Sequence, residues 1–154
     1  MQPINNLELI TGVDLGLKTL RRQFSSAEVL TFFTVPITLA PAVPGYAYIP
    51  RYMFLQKPAG IAYTLAGVTT LQITIGSGVI GGSGLATGLL DSALATSLVM
   101  YGPGSASVLF SGSNLASLSN TAMTWSAGGA NPAAGNSPLN MLLVYQLFPI
   151  TFAV

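Results

Sequence analysis

Beyond residue 57 the chain carries a single charged side chain, Asp91. No other feature narrows the possible folds as much. Roughly a quarter of the residues in an ordinary soluble domain are charged, whereas here the figure is 6%. Hydrophobic residues make up 51%, and that surface has to be hidden. A membrane helix would hide it, but it needs about 18 consecutive apolar residues, and here Gly, Pro, Ser or Thr breaks every apolar run within a few positions. The first residues, Met1, Gln2, Pro3, Ile4, Asn5 and Asn6, lack the basic start and apolar run of a signal peptide. An outer-membrane barrel would require more long strands with a polar lumen face. The expectation is therefore a domain without membrane association, much of whose neutral surface is covered by partners.

At 154 residues the chain suits one domain with its own hydrophobic core. The segment 139–148 shows how that core is built. Leu139, Met141, Leu143, Tyr145 and Leu147 alternate with Asn140, Leu142, Val144, Gln146 and Phe148, which is the period of a strand. Neither set is consistently polar, so the second face should also be covered, by another sheet or another subunit.

Residues 1–24 differ from the rest. They hold Glu8, Asp14, Lys18, Arg21 and Arg22, with Val13, Leu17, Leu20 and Phe24 at helical spacing. This segment reads as a short helical or extended arm before a β-domain spanning 25–154. It either anchors onto a partner or lies on its own domain. Two adjacent arginines are too few for nucleic acid, which demands many phosphate contacts.

Ser25, Ser26, Ala27 and Glu28 form a capping box that starts a single helical turn. A strand is expected over 30–39, with Pro36 placing it at an edge or bulge. The PAVPG sequence at 41–45 then forces a turn. The next strand, 46–55, sets Tyr46, Tyr48, Tyr52 and Phe54 on one face and Arg51 on the other. Such a column can stack on sugars or bases, but on strands it more often packs in a core or interface. Leu71, Ile73 and Ile75 alternate with Thr70, Gln72 and Thr74, the clearest half-buried strand in the chain.

GSGVIG at 76–81 has the literal spacing of a dinucleotide fingerprint. It opens no helix, is followed by more Gly and Ser, and has no acidic residue about twenty positions on, so 76–84 reads as a mobile or surface loop. The segment 89–100 fits a helix or a strand pair, and Asp91 either caps a turn there or pairs with Arg51. Further strands are expected at 105–111 and 121–127, the latter with the only tryptophan, Trp125, and a loop over 128–138.

The chain has no cysteine and no histidine, so disulfides, thiolate metal sites and the commonest general base are all excluded. The carboxylates Glu8, Asp14, Glu28 and Asp91 are too scattered for an acid–base pair or an oxygen-ligand metal site. The expected protein is not an enzyme and takes no metal or cofactor. Short strands between Gly and Pro turns favour an all-β fold, a jelly-roll-like antiparallel β-sandwich.

SSAEVL at 25–30, VPITLAPAVPGYAYIP at 35–50, AYT at 62–64, LQITIG at 71–76 and GGANPAAGNSPLNMLLVYQL at 128–147 together resemble the small tailed-bacteriophage capsid decoration, or cement, proteins. Related head-fibre and tail-surface subunits share the pattern. The resemblance covers 25–148 and leaves 1–24 without a counterpart. It implies a trimeric jelly roll, made in the host cytoplasm and seated on the virion capsid surface, whose partners are itself and the major capsid protein. On that view Val13, Leu17, Leu20, Arg21, Arg22 and Phe24 anchor the capsid, while Tyr46, Tyr48, Tyr52, Leu143 and Tyr145 pack between subunits. The alternative is a head-fibre, tail or receptor-binding subunit whose loops 76–84 and 128–138 contact host glycans.

Overall fold

The computed structural model describes residues 16–68, 70–76, 78–83, 88–101 and 120–149. In chain order the elements are β1 (Lys18–Phe24), α1 (Ser26–Val29), β2 (Ile37–Ala40), β3 (Tyr46–Lys57), β4 (Thr70–Ile75), β5 (Gly78–Ser83), β6 (Thr96–Tyr101), β7 (Met123–Gly128) and β8 (Leu139–Pro149). The strands form two four-stranded antiparallel sheets packed face to face, ordered β1-β8-β3-β6 and β2-β7-β4-β5. The chain is thus an all-β sandwich. Its pairs are nested: β1 with β8, β2 with β7, β3 with β6 and β4 with β5. No helix among the described residues is long and apolar enough to cross a membrane.

The inward faces are the expected apolar sets. β8 buries Leu139, Met141, Leu143 and Leu147, and β4 buries Leu71, Ile73 and Ile75. Between the sheets Trp125 is fully buried, stacked on Phe24 with centroids 6.4 Å apart and meeting Phe32 edge-on at 6.2 Å. Phe24 and Phe32 close the cluster edge to face at 5.4 Å, a geometry that adds to the area the rings bury.

Of the two forms expected for 1–24, helical or extended, the described part takes the extended one, and it lies on its own sandwich. β1 pairs along its whole length with β8, from Lys18 opposite Tyr145 to Phe24 opposite Leu139. Leu20 packs against the core and Phe24 is inside it, so the domain boundary expected at 24/25 falls within one folded unit. Val13 lies outside the described residues.

The capping box forms as read. The Ser25 hydroxyl accepts from the Glu28 amide at 3.2 Å, and a Glu28 carboxylate oxygen accepts from the Ser25 amide at 2.8 Å. These bonds occupy donors that a helix start leaves unmet. The strand expected over 30–39 is reduced to Ile37–Ala40. Upstream, the amides of Phe33 and Thr34 donate to Asn131 Oδ1 at 2.8 and 3.3 Å, and Val35 N donates to Thr31 O at 2.8 Å. Amides engaged in this way cannot join a ladder, and Pro36 has none to offer. β2 is an edge strand with a register shift between Thr38 and Ala40, as the proline implied.

Two further expectations change. Opposite β8 the register of β3 shifts between Pro50 and Tyr52, leaving Arg51 as the extra residue of a bulge. A bulge reverses which alternate residues face inward. Tyr48 is consequently buried, Tyr52 is half exposed, and Met53 and Leu55 take the inward positions, so the aromatic column is split. The Gly-rich segment is not a loop: Gly78–Ser83 forms β5 against β4, after a turn in which Gly76 has φ +60°. The segment 89–100 becomes turn followed by β6, with Asp91 Oδ1 accepting from the Gly88 amide to cap the turn. The strand expected over 105–111 lies outside the described residues.

The connections at one end of the sandwich are cross-tied. Thr64 and Ala133 form a bridge, Ile61 N donates to Asn136 Oδ1 at 2.9 Å, and the buried Tyr63 hydroxyl donates to Ser137 O at 2.5 Å. Burial raises the Tyr63 pKa to about 12. Gly135, at φ +86°, lies directly under the Tyr63 ring, where a Cβ would clash. Lys57 ends β3 fully buried, its ammonium donating to Pro58 O and Leu94 O at 3.1 and 3.3 Å. Desolvation holds its pKa below the usual lysine value.

Candidate functional site

All five basic residues lie on β1 and β3, two strands of the same sheet. Arg22 points toward α1. It donates to Thr38 O at 2.9 Å and to Glu28 Oε1 at 3.1 Å, and its guanidinium sits 5.2 Å from the Phe24 ring centroid. Arg51 donates to Gln146 Oε1 at 2.8 Å. Lys57 is held by carbonyls, and Lys18 is also engaged. Among the described residues, Arg21 is the cation whose side chain has no hydrogen bond or ion pair.

Register places Arg21 on the outer face of the sheet. Three rows cross β1, β8 and β3 there: Thr19, Val144 and Tyr52; Arg21, Leu142 and Phe54; Gln23, Asn140 and Gln56. Arg21, Leu142 and Phe54 of the middle row, with Gln23 and Asn140 of the last, line an open groove of about 500 Å³. Within it Gln23 Nε2 donates to Asn140 Oδ1 at 2.9 Å, a bond that leaves the Gln23 amide oxygen and the Asn140 amide NH2 unused. Sequence reasoning had not singled out Gln23, Asn140 or Phe54 as a group. Their juxtaposition depends on a register that joins positions 23, 54 and 140.

The residues expected to anchor a partner divide between inside and outside. Leu17 is 63% exposed and Arg21 is exposed, whereas Leu20 is partly buried and Phe24 is wholly buried. Arg22 is engaged within the chain. Of the five residues expected at a subunit contact, Leu143 and Tyr48 belong to the chain's own core and Tyr46 and Tyr145 pack against it. Tyr48 and Tyr145 meet at 5.6 Å, and the Tyr48 hydroxyl donates to Pro41 O. Only Tyr52 of that set is exposed. Among the described residues no group of three or more His, Cys, Asp or Glu side chains gathers.

Among the described residues, Glu28 is the acid whose environment is most altered. The Ser25 amide bond, with lesser help from the Ser25 hydroxyl and Arg22, holds its pKa below the ordinary 4.5. A carboxyl whose folded pKa is lowered stabilises fully above its unfolded value, and that contribution is lost as the pH falls through the folded value. Ser25→Ala should therefore cost about 1 kcal/mol at neutral pH. Glu28→Gln should weaken the dependence of stability on pH below 4.5. Urea midpoints measured at neutral and acid pH check both.

Comparison of the chain with protein-family models, with curated proteins and with solved structures finds no match.

Proposed function

We propose that this chain is a virion structural subunit of jelly-roll type. In this reading it is a decoration or cement protein that sits as a homotrimer on the outside of a phage head and stabilises the lattice of the major capsid protein. The nested pairing supports the jelly-roll reading, since a long hairpin of four strand pairs rolled into two sheets is how two Greek keys combine.

The observation that carries the assembly role is the character of the loops at one end of the sandwich. Phe33 and Val35 follow α1, Ile61 follows β3, and Leu94 precedes β6; all four are exposed, Leu94 by 74%. Large apolar side chains on neighbouring connections, in a chain with so few charges, suit a surface that a partner covers. The cross-ties through Asn131, Asn136 and Ala133 hold those connections in place before binding, which reduces the entropy lost on association. The capsid contact is assigned to this end and to the exposed Leu17, just before β1, rather than to Leu20 and Phe24.

Light scattering of the purified protein in EDTA should report three copies, and reconstitution onto stripped heads should saturate at lattice-scale copy number. A stable, soluble monomer at micromolar concentration would rule out the trimer. Binding in only a few copies per particle would favour a spike.

A further inference from the structure

We propose that the groove on the outer face of the β1-β8-β3 sheet binds the carboxylate-bearing sugar unit of an acidic glycan. This site is distinct from the loop end and does not depend on the capsid reading. Three features converge. Arg21 is exposed and, among the described residues, unpartnered in a chain where the cations Arg22, Arg51 and Lys57 are each hydrogen-bonded. A planar guanidinium without a protein partner matches a carboxylate in two-pronged geometry. Across β8 in the same row stands Phe54, partly buried and lining the groove, which offers an aromatic surface to the C–H face of a sugar ring. In the next row the Gln23–Asn140 pair is already joined by one hydrogen bond. It leaves an acceptor and a donor side by side, the combination that neighbouring hydroxyls satisfy because each both gives and accepts.

The same geometry disfavours an extended peptide. β8, the floor of the groove, lies between β1 and β3 and is hydrogen-bonded to both, so the floor offers no open strand edge. A peptide laid over Leu142 would leave its main-chain groups unpaired against an apolar floor. The groove is also open to solvent rather than enclosed, so a sugar unit need not be the end of its chain to enter it.

The test uses the full-length protein, observed by amide NMR and titration calorimetry. The probes are tetragalacturonate, neutral maltotetraose and a hexaglutamate peptide. Tetragalacturonate should shift resonances of β1, β8 and β3 and bind more weakly as salt is raised. Arg21→Gln should weaken it about tenfold or more, the effect of losing a charge-assisted contact. Phe54→Leu, which keeps apolar volume but removes the ring face, should also weaken it. Because the Arg21 side chain is exposed and makes no hydrogen bond or ion pair among the described residues, an unchanged urea midpoint for Arg21→Gln shows that the fold is intact. The proposal is overturned if tetragalacturonate gives no shifts at about 10 mM, where even a millimolar site is mostly filled. It is also overturned if Arg21→Gln binds equally well or maltotetraose binds as tightly. Equal, Arg21-dependent binding of hexaglutamate would replace the glycan with an acidic protein partner.

Discussion

A chain beginning at Ser25 should lose its cooperative fold. Removing 1–24 takes away β1, and with it seven residue pairs along β8 and the ring of Phe24 from the centre of the aromatic cluster. Truncating a buried phenylalanine to alanine alone costs about 3–5 kcal/mol, against a total stability of about 5–15 kcal/mol for a typical domain. The deletion also removes one of the two ladder partners of β8 and uncovers the core side of Leu139, Met141 and Leu143. Far-UV circular dichroism through a urea titration should show no sharp transition for residues 25–154, while the full chain gives one. A cooperative, β-type transition in the shortened chain would mean that β1 is dispensable. The same reasoning prevents this deletion from testing attachment, because it removes folding first. Attachment is tested instead by replacing the exposed Leu17, Ile61 and Leu94 in the full chain.

Why β1 looked like a helical arm has a simple geometric answer. Leu20 and Phe24 are four positions apart. Four is close to one helical turn and is also an even number, so the same spacing puts both residues on one face of a strand. Only β8, more than a hundred positions away, decides between the two, and its register is not visible in local sequence. β4 and β8 were legible because their alternation is long and unbroken. β3 was legible as a strand, but its faces were not, since the bulge at Arg51 reverses alternation without any local mark apart from Pro50. β5 was hidden for the opposite reason: a strand of glycines has few side chains with which to show alternation, and its pairing with β4 is what makes it a strand. The groove shares this limit. Its residue types were plain, but their meeting in two rows across three strands follows from pairings that the sequence does not display.

Trp125→Ala should cost about 3–5 kcal/mol, the range for removing a large aromatic side chain from a close-packed core. Trp125 sits where the two sheets share their rings, with Phe24 from one sheet stacked on it and Phe32, from the segment after α1, against it edge-on. Its loss leaves a cavity bordered by two rings whose backbones are fixed, by the β8 ladder on one side and by the Asn131 bonds on the other. Collapse into that space is therefore restricted, and a site that cannot collapse lies at the costly end of the range. Trp125→Phe separates packing from polarity. The indole N–H is buried with no hydrogen-bond partner among the described residues, so phenylalanine gives up some contact area but also relieves a buried polar group. Its cost should stay below about 1.5 kcal/mol, as for a swap that keeps most of the apolar bulk. Since Trp125 is the only tryptophan, unfolding of both variants is followed by far-UV circular dichroism rather than by fluorescence. If the alanine variant costs no more than the phenylalanine variant, the stack of Phe24 on Trp125 is not the centre of this core.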